Sequence, residues 1–218
     1  KASGMEDGSK SHPYDTITEA LKHAKEGDEL EVEKGTYKEN ITLPKEVWLY
    51  GAGGDRKDIV IEAKNDEKPT VETKHGSKLS DVTVKGGRHG VRVLEDSKAH
   101  LYDVRITKSN RDGIHIDSAD VSKKKRVLID KVEIDKNDRS GIYSEKRSLT
   151  IINSNIHDND GDGIDLAAGT HAWFEKSDFN ENRGSGAKLV LDGAGIWSKS
   201  NDFKKNGREG IEVSSFGG

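Results

Sequence analysis

The sequence predicts an all-β fold, a right-handed single-stranded parallel β-helix (a solenoid) with a short N-terminal capping α-helix. Glycines recur at nearly constant intervals, and columns of apolar and polar residues keep register with them. Only 31% of the 218 residues are hydrophobic and 35% are charged, which is too few apolar residues for one thick core. A solenoid suits this composition, because each coil buries few side chains and stacking on its neighbours completes the core.

A Gly followed by an apolar residue recurs at six regularly spaced positions, and these define the repeat. Successive differences between these positions are 23, 28, 22, 23 and 24 residues. The six glycines are Gly90, Gly113, Gly141, Gly163, Gly186 and Gly210. Each coil is predicted to contain two strands, the first of which begins at the Gly. The interval of 28 residues indicates an insertion, which we assign to the basic run at residues 122–126.

A polar column lies four residues before the later glycines. Its members are Ser109, Asn137, Asn159, Asn182 and Asn206. In stacked coils, each Asn amide can bond its neighbour in the next coil while it also caps turn backbone. We therefore expect these residues to have a structural role.

Residues that point outward from a stack of parallel strands form vertical rows. Side chains alternate between the two faces of a strand, and neighbouring strands lie about 4.8 Å apart. The first outward row is predicted to contain Arg92, His115, Tyr143, Asp165, Lys188 and Glu212. A second row, one strand later in each coil, is predicted to contain Leu128, Thr150, Trp173 and Trp197.

The N-terminal part of the chain predicts a short amphipathic helix within residues 16–25. Thr16 and Glu19 form a capping box, and Gly27 ends the helix. Its apolar residues follow the helical spacing i, i+3, i+4 and i+7: Ile17, Ala20, Leu21 and Ala24. We expect this helix to cover the open end of the solenoid, where strand edges are otherwise unpaired.

We expect one β-helix domain over residues 1–218. Within it, residues 1–28 form the cap region, residues 29–84 the irregular first coils and residues 85–218 the regular coils. The 36 basic and 40 acidic residues nearly cancel, which argues against a nucleic-acid partner. No apolar run approaches the roughly 20 residues of a membrane span, so this segment predicts no membrane insertion. The chain ends just after a repeat, which leaves room for a further domain beyond the C-terminus.

Two groups of motifs resemble a known family. The pieces "SHPYDTI", "GDELEVEKGTYKENI" and "VWLYGAG", within residues 11–53, resemble the opening of pectin-methylesterase-like parallel β-helix proteins. The pieces "DGIHI", "SGIYS", "DGIDL" and "EGIEV" resemble the repeat of pectate-lyase-like proteins. This resemblance specifies a fold more than an activity. Pectin methylesterases carry Gln beside paired Asp residues, and this chain contains no Gln, which argues against pectin ester hydrolysis.

The same resemblance implies a polysaccharide lyase or a C5-epimerase that acts on uronates. In such enzymes a base removes the C5 proton, and an acid protonates the opposite face or the leaving oxygen. On the first outward row, the resemblance implies Lys188 or His115 as the base, Tyr143 as the acid and Arg139 as the clamp for the substrate carboxylate. The row fits equally a solvated face with ion pairs between coils, so whether the protein is an enzyme stays open.

Two further pairs of residues are expected to bind substrate. Asp112 and Asp117 flank the first outward row. Trp173 and Trp197 lie one coil apart on the second row, where two indole rings would form a flat apolar platform for sugar rings. The alternative for the Trp pair is burial under a turn, a C-terminal extension or a neighbouring chain.

The acidic segment "DNDGDGID" contains the candidate metal ligands. They are Asp158, Asp160, Asp162 and Asp165, whose hard oxygen atoms suit calcium. The alternative is an ordinary acidic turn, because Asn159 and Gly163 already have places in the structural columns. Histidines at positions 12, 23, 75, 100, 157 and 171 show no metal-ligand spacing, so no zinc or copper site and no cofactor besides calcium is predicted.

The sequence therefore predicts an extracellular or cell-surface β-helix that engages a polysaccharide, with an acidic glycan as the expected partner. The activity expected from the resemblance is that of a lyase or C5-epimerase. The alternative is a non-catalytic structural or adhesin-like module that binds carbohydrate.

Overall fold

The computed structural model describes residues 6–119 and 125–215, and it forms a parallel β-helix. The described residues form one helix and 23 strands, and three consecutive strands make one coil. Equivalent strands of successive coils pair in parallel, so the chain builds three sheets with the strands in sequential order. Most of the predicted insertion at residues 122–126 lies outside the described residues.

The three sheets alternate along the chain. The first sheet contains β1 (Glu29–Val32), β4 (Trp48–Gly51), β7 (Ser77–Ser80), β10 (Ala99–Tyr102), β13 (Arg126–Asp130), β16 (Ser148–Ile152), β19 (His171–Glu175) and β22 (Gly195–Lys199). The second sheet contains β2 (Gly35–Lys38), β5 (Ile59–Glu62), β8 (Thr83–Lys85), β11 (Arg105–Thr107), β14 (Glu133–Asp135), β17 (Asn155–His157) and β20 (Asp178–Asn180). The third sheet contains β3 (Ile41–Leu43), β6 (Val71–Thr73), β9 (Val91–Val93), β12 (Ile114–Ile116), β15 (Ile142–Ser144), β18 (Ile164–Leu166), β21 (Ala187–Val190) and β23 (Ile211–Ser214).

The predicted helix is confirmed as α1 (Ile17–His23). The hydroxyl of Thr16 accepts a hydrogen bond of 3.1 Å from the backbone N–H of Glu19 and caps the helix. Ile17 and Leu21 are buried in the core, and the helix packs against β3. The carboxylate of Glu39 accepts from the N–H of Ile17 at 3.0 Å and so ties the helix to the first coil. Within the described chain, no helix has the length and apolar character needed to cross a membrane.

The regular coils contain three strands each, apart from the last one described, which has β22 and β23, whereas the sequence pattern predicted two. The second predicted strand is split by a one-residue corner, such as Lys131 between β13 and β14, with φ of 55°. A second corner precedes the polar column, for example Lys136 with φ of 57°. A single left-handed residue turns the chain sharply without a loop. In the sequence the corner appears as a spacing of three between buried residues, as from Ile129 to Val132, with no Gly or Pro to mark it.

Inward side chains fill the interior as the repeat predicted. The apolar residue seven positions before the Gly is fully buried in four successive coils, at Ile106, Ile134, Ile156 and Phe179. Burial of one such side chain contributes roughly 1.5–3 kcal/mol. The interior is therefore one thin apolar column that gains a layer with each coil.

The repeated Gly allows the coils to approach each other closely. A Cβ atom on Gly113 would lie 2.8 Å from the carbonyl oxygen of Gly141 and 2.5 Å from a side-chain carbon of Ile134. Real Cβ contacts are not that short, so any larger residue would push the two coils apart. The third-sheet hydrogen bonds that begin at this position thus require Gly.

The polar column forms a buried ladder along the solenoid, as predicted. The side-chain amide of Asn137 donates to Oδ1 of Asn159 at 2.9 Å, and Asn159 donates to Oδ1 of Asn182 at the same distance. Asn159 also donates to the backbone carbonyls of Ile134 and His157. Each Asn therefore bonds to the coils on either side of it, which keeps the coils in register.

We predict that Asn159→Ala lowers the free energy of unfolding by about 3 kcal/mol, because it leaves buried donors and acceptors without partners. The matched control is Asn110→Ala, at an exposed position outside the ladder, for which we expect a change within about 0.5 kcal/mol. Urea denaturation of both variants measures the difference. Equal stabilities of the two variants would contradict a structural role for the ladder.

Candidate functional site

The predicted first outward row exists on the third sheet. Strand register pairs its members directly from one coil to the next, in the order Arg92, His115, Tyr143, Asp165, Lys188 and Glu212. All six side chains are partly exposed. The row therefore forms part of the outer surface, and its spacing is set by the distance between coils.

A polar groove lies along this face of the solenoid. One segment has a volume of about 850 Å³, and the residues of the sequence prediction that line it are Asp112, His115, Asp117, Arg139, Tyr143, Asp160 and Asp165. A second segment of about 1400 Å³ extends toward the N-terminal coils. The two segments share Arg111, His115 and Asp117, so they meet at β12. Lys188 is not among the residues that line either segment.

The centre of the groove contains two imidazoles around one carboxylate. Oδ2 of Asp112 lies 3.0 Å from Nδ1 of His115 and 3.4 Å from Nδ1 of His89. A carboxylate only accepts hydrogen bonds, so the proton of the bond to His115 is on Nδ1 of the imidazole. Asp112 is 6% exposed and therefore orients His115, whereas the sequence analysis expected it to contact substrate.

Burial and hydrogen bonding act in opposite directions on the central carboxylate. Burial by itself raises the pKa of Asp112, but the hydrogen bond from His115 and the nearby imidazole of His89 outweigh it and lower the pKa to about 2. Burial lowers the pKa of His89, which favours a neutral imidazole. Asp112 is thus an anion at neutral pH, held between two rings.

Aromatic stacking extends this centre along the row. The rings of His115 and Tyr143 stack with centroids 5.0 Å apart and an angle of 11° between their planes, and the His89 ring lies 4.4 Å from that of His115. Burial, followed by the negative charges of Glu145 and Asp165, raises the pKa of Tyr143. The Tyr143 phenol is therefore a protonated group beside the groove.

Asp165 follows Tyr143 one coil further along the row. Burial raises the pKa of this carboxyl group, and the amine of Lys188 at 3.9 Å opposes the shift. A carboxylate with a raised pKa is a stronger base than an ordinary Asp side chain. Of the two residues considered as bases from sequence, Lys188 instead serves as an ion-pair partner of Asp165.

The guanidinium groups of Arg92 and Arg139 lie on this face in different environments. Arg92 pairs with both oxygens of Asp117, through Nε at 3.0 Å and Nη2 at 2.9 Å. Asp117 lies in the groove as predicted, but this ion pair already occupies its carboxylate. Arg139 is exposed on the groove wall, where its charge is available to a ligand.

The four predicted calcium ligands do not converge on one point. Asp158 bonds to His157, Asp162 accepts from the N–H of Ser185 at 2.7 Å, and Asp160 lies 3.9 Å from Arg183. The corner at Asp158 and the inward Asn159 separate these carboxylates, while Asp165 belongs to the outward row. In the part of the chain that the structure describes, the group with ligand atoms close enough for one metal ion is His89, Asp112 and His115, all within 4.8 Å.

Trp173 and Trp197 are vertical neighbours on the first sheet, as predicted. Their rings stack face to face, with centroids 3.2 Å apart and planes at 18°. Each ring thus covers one face of the other, and sugar binding by this pair stays a prediction. Trp173 remains 38% exposed, on a different sheet from the groove.

Sequence analysis missed His89 as a site residue. It occupies the position directly before the repeated Gly, a column that continues with Asp112, Ser140, Asp162, Ser185 and Glu209. Because this column adjoins the outward row, His89 and Asp112 become neighbours one coil apart. The sequence signal was the adjacency of this column to the outward row, which places His89, Asp112 and His115 close together.

Comparison with known families and structures supports the fold. The family model described as "Right handed beta helix region" matches residues 70–218. No curated protein matches the sequence.

Several solved structures share the architecture at low sequence identity. A pectin methylesterase from Aspergillus niger aligns with 12% identity and a TM-score of 0.58, over 96% of this chain and 89% of its own. The rice weevil pectin methylesterase aligns with 10% identity and a TM-score of 0.51, over 92% and 89%. ORF18 of Geobacillus virus E2 aligns with 11% identity and a TM-score of 0.53, over 87% and 54%. At these identities the similarity shows the fold alone.

We predict that Asp112→Asn lowers the free energy of unfolding by about 2 kcal/mol at neutral pH in metal-free buffer. The pKa of this group falls from 3.8 to about 2 on folding, so its stabilisation is present above pH 3.8 and disappears as the pH falls through about 2. Denaturation of wild type and variant between pH 7 and pH 2 should show this gap closing. The control is Asp138→Asn, an exposed carboxylate of the same groove, and a pH-independent gap for Asp112→Asn would contradict the assignment.

Proposed function

The chain belongs to the family of right-handed β-helix regions, and from this premise we propose that it binds a polysaccharide lengthwise in the groove of the third sheet and acts on it. The observation that carries the proposal is the groove itself, which crosses several coils and contains Tyr143, Asp165 and Arg139 together. Two of the similar folds are named as pectin methylesterases, enzymes of a polysaccharide, which supports this class of ligand. For a protein that acts on such a polymer, we also propose an extracellular or cell-surface location.

The charges of the groove are divided between its two segments. The described residues that line the N-terminal segment include six cationic side chains and five carboxylates. The six cations are Lys38, Lys64, Lys68, Arg88, Arg92 and Arg111. The other segment contains seven carboxylates and two guanidinium groups. We therefore propose an acidic glycan whose carboxylates lie along the N-terminal segment and whose reacting sugar lies one coil beyond the junction, over Tyr143.

Tyr143 and Asp165 are the residues that we assign to proton transfer. They pair directly across adjacent strands, so their side chains are about 4.8 Å apart on the same face of one sheet. The carboxylate of Asp165 accepts the C5 proton of a uronate, the bond between C4 and its glycosidic oxygen breaks, and a C4–C5 double bond forms. Tyr143 donates its phenolic proton to the leaving oxygen, and Arg139 pairs with the sugar carboxylate.

This arrangement favours a lyase over a C5-epimerase. Both groups project from one sheet and reach the sugar from one side, which suits elimination. Inversion at C5 requires a proton donor on the opposite side of the ring from the base. The assignment of Asp165 as the base replaces the Lys188 and His115 alternatives, because Lys188 lies outside the groove lining and both ring nitrogens of His115 face carboxylates, Nδ1 that of Asp112 and Nε2 that of Asp117.

A second candidate function is a non-catalytic module that binds carbohydrate. The exposed Trp173 on the first sheet favours it, because indole rings contribute large apolar contacts to sugars. In this case the glycan would contact the first sheet, and the groove of the third sheet would be a solvated face with ion pairs between coils.

We predict that incubation with alginate, pectate or another uronan yields an unsaturated product, measured by ultraviolet absorbance. The assay is run with chelator, with calcium and with added transition metals. Tyr143→Phe and Asp165→Asn should each lower the rate by roughly 10²–10⁴-fold, because each removes one proton-transfer group. The matched controls Tyr102→Phe and Asp178→Asn, on the first and second sheets, should retain wild-type rates.

The outcomes separate the candidates. Uronate inversion by NMR without unsaturated product would show an epimerase and overturn the lyase assignment. Retention of a glycan by the wild type but not by Trp173→Ala, with no product from any uronan, would show the binding module instead.

A further inference from the structure

We propose that His89, Asp112 and His115 bind one divalent transition-metal ion. The three side chains each offer a ligand atom, and all three atoms lie within 4.8 Å of one another. Two of them come from consecutive coils at the position before the repeated Gly, and the third comes from the adjacent outward row. The stacking of β9 and β12 therefore preforms the group, and no loop has to close around the ion.

The distances between the ligand atoms fit a coordination sphere. Metal bonds to imidazole nitrogen and carboxylate oxygen are about 2.1 Å long. Two such bonds at an angle between about 90° and 109° hold their ligand atoms about 3.0–3.4 Å apart. Oδ2 of Asp112 lies 3.0 Å from Nδ1 of His115 and 3.4 Å from Nδ1 of His89. These two separations each fit a pair of bonds to one ion, and the third pair of ligand atoms lies within 4.8 Å, so the two imidazole side chains need at most a small movement to bring all three atoms onto the ion.

An unpartnered nitrogen points independently to a ligand. His89 is 6% exposed, and its Nδ1 atom has no hydrogen-bond partner among the described residues, although it faces Oδ2 of Asp112. Buried polar atoms in folded proteins are almost always bonded, so an unbonded nitrogen at this place requires an explanation. Coordination of a cation would satisfy this nitrogen and the carboxylate together.

The donor set selects the class of ion. Two imidazole nitrogens and one carboxylate suit zinc, iron(II) or cobalt(II), whereas calcium and magnesium prefer ligand sets made of oxygen. The seven carboxylates that line this segment of the groove also favour a cation. Asp117, which Arg92 holds, lies 3.8 Å from Nε2 of His115 and would orient that ring from behind.

Three protein ligands leave at least one coordination position open. Asp112 and His115 both line the groove, so the open position faces the space where a ligand lies. There the ion would bind a carboxylate or hydroxyl oxygen of the glycan and would supply positive charge where the groove is most acidic. This last step rests on the proposed function, whereas metal binding itself does not.

Metal binding is tested without glycan. Protein treated with chelator and desalted is titrated with Zn²⁺ by calorimetry and with Co²⁺ by visible absorption, which reports nitrogen ligation. We expect one ion per chain, and a loss of affinity of at least 10-fold in His89→Ala and in Asp112→Asn. His157→Ala is the matched control, because this imidazole also contacts two carboxylates, Asp158 and Glu133, outside the group, and its binding should equal that of the wild type.

Circular dichroism of each variant separates lost ligands from lost folding. A wild type that takes up neither ion, or a folded His89→Ala that binds as tightly as the wild type, would overturn the metal site. Uronan cleavage by a metal-free wild type would leave the proposed function standing without the ion. Metal uptake by a protein that processes no uronan would leave the metal site standing without the activity.

Discussion

Close stacking of successive coils is the constraint on which the rest of this structure depends. Parallel strands of all three sheets bond from coil to coil, and the repeated Gly permits this spacing at the start of the third-sheet strands from β9 onward. The ladder from Asn137 to Asn206 holds the same register inside the corner. Since the Gly and the ladder recur along the regular coils, small local interactions accumulate from one coil to the next.

Stacking also converts distance along the chain into proximity in space. His89 and Asp112 lie in different coils, yet their side chains meet because both precede the repeated Gly. The long interval between Gly113 and Gly141 leaves the register undisturbed, since Ile114 still pairs with Ile142. A site on this scaffold is therefore held by backbone pairing on both sides, which keeps its side chains in place before any ligand arrives.

The sequence allowed two interpretations of the outward row, a catalytic site and a solvated face with ion pairs between coils, and the row has features of both. Part of it consists of ion pairs that a solvated face would also contain, such as Arg92 with Asp117 and Lys188 with Asp165. Between these pairs lies a different environment, where His115 stacks on Tyr143 and contacts a carboxylate that is almost fully buried. The candidate site differs from the rest of the row because its carboxylate is buried and several side chains converge on it. Residue types alone do not reveal either property.

The sequence by itself determined the coil repeat, the capping helix, the Asn ladder and the outward row of the third sheet, because each depends on a periodic pattern along the chain. It did not determine the third strand of the coils, since one left-handed residue such as Lys131 makes a corner without a loop and without a Gly or Pro to mark it. Nor did it determine which side chains converge. Only the tertiary structure brought His89 to Asp112 and dispersed the four aspartates at positions 158 to 165, because convergence depends on how neighbouring columns meet at a corner.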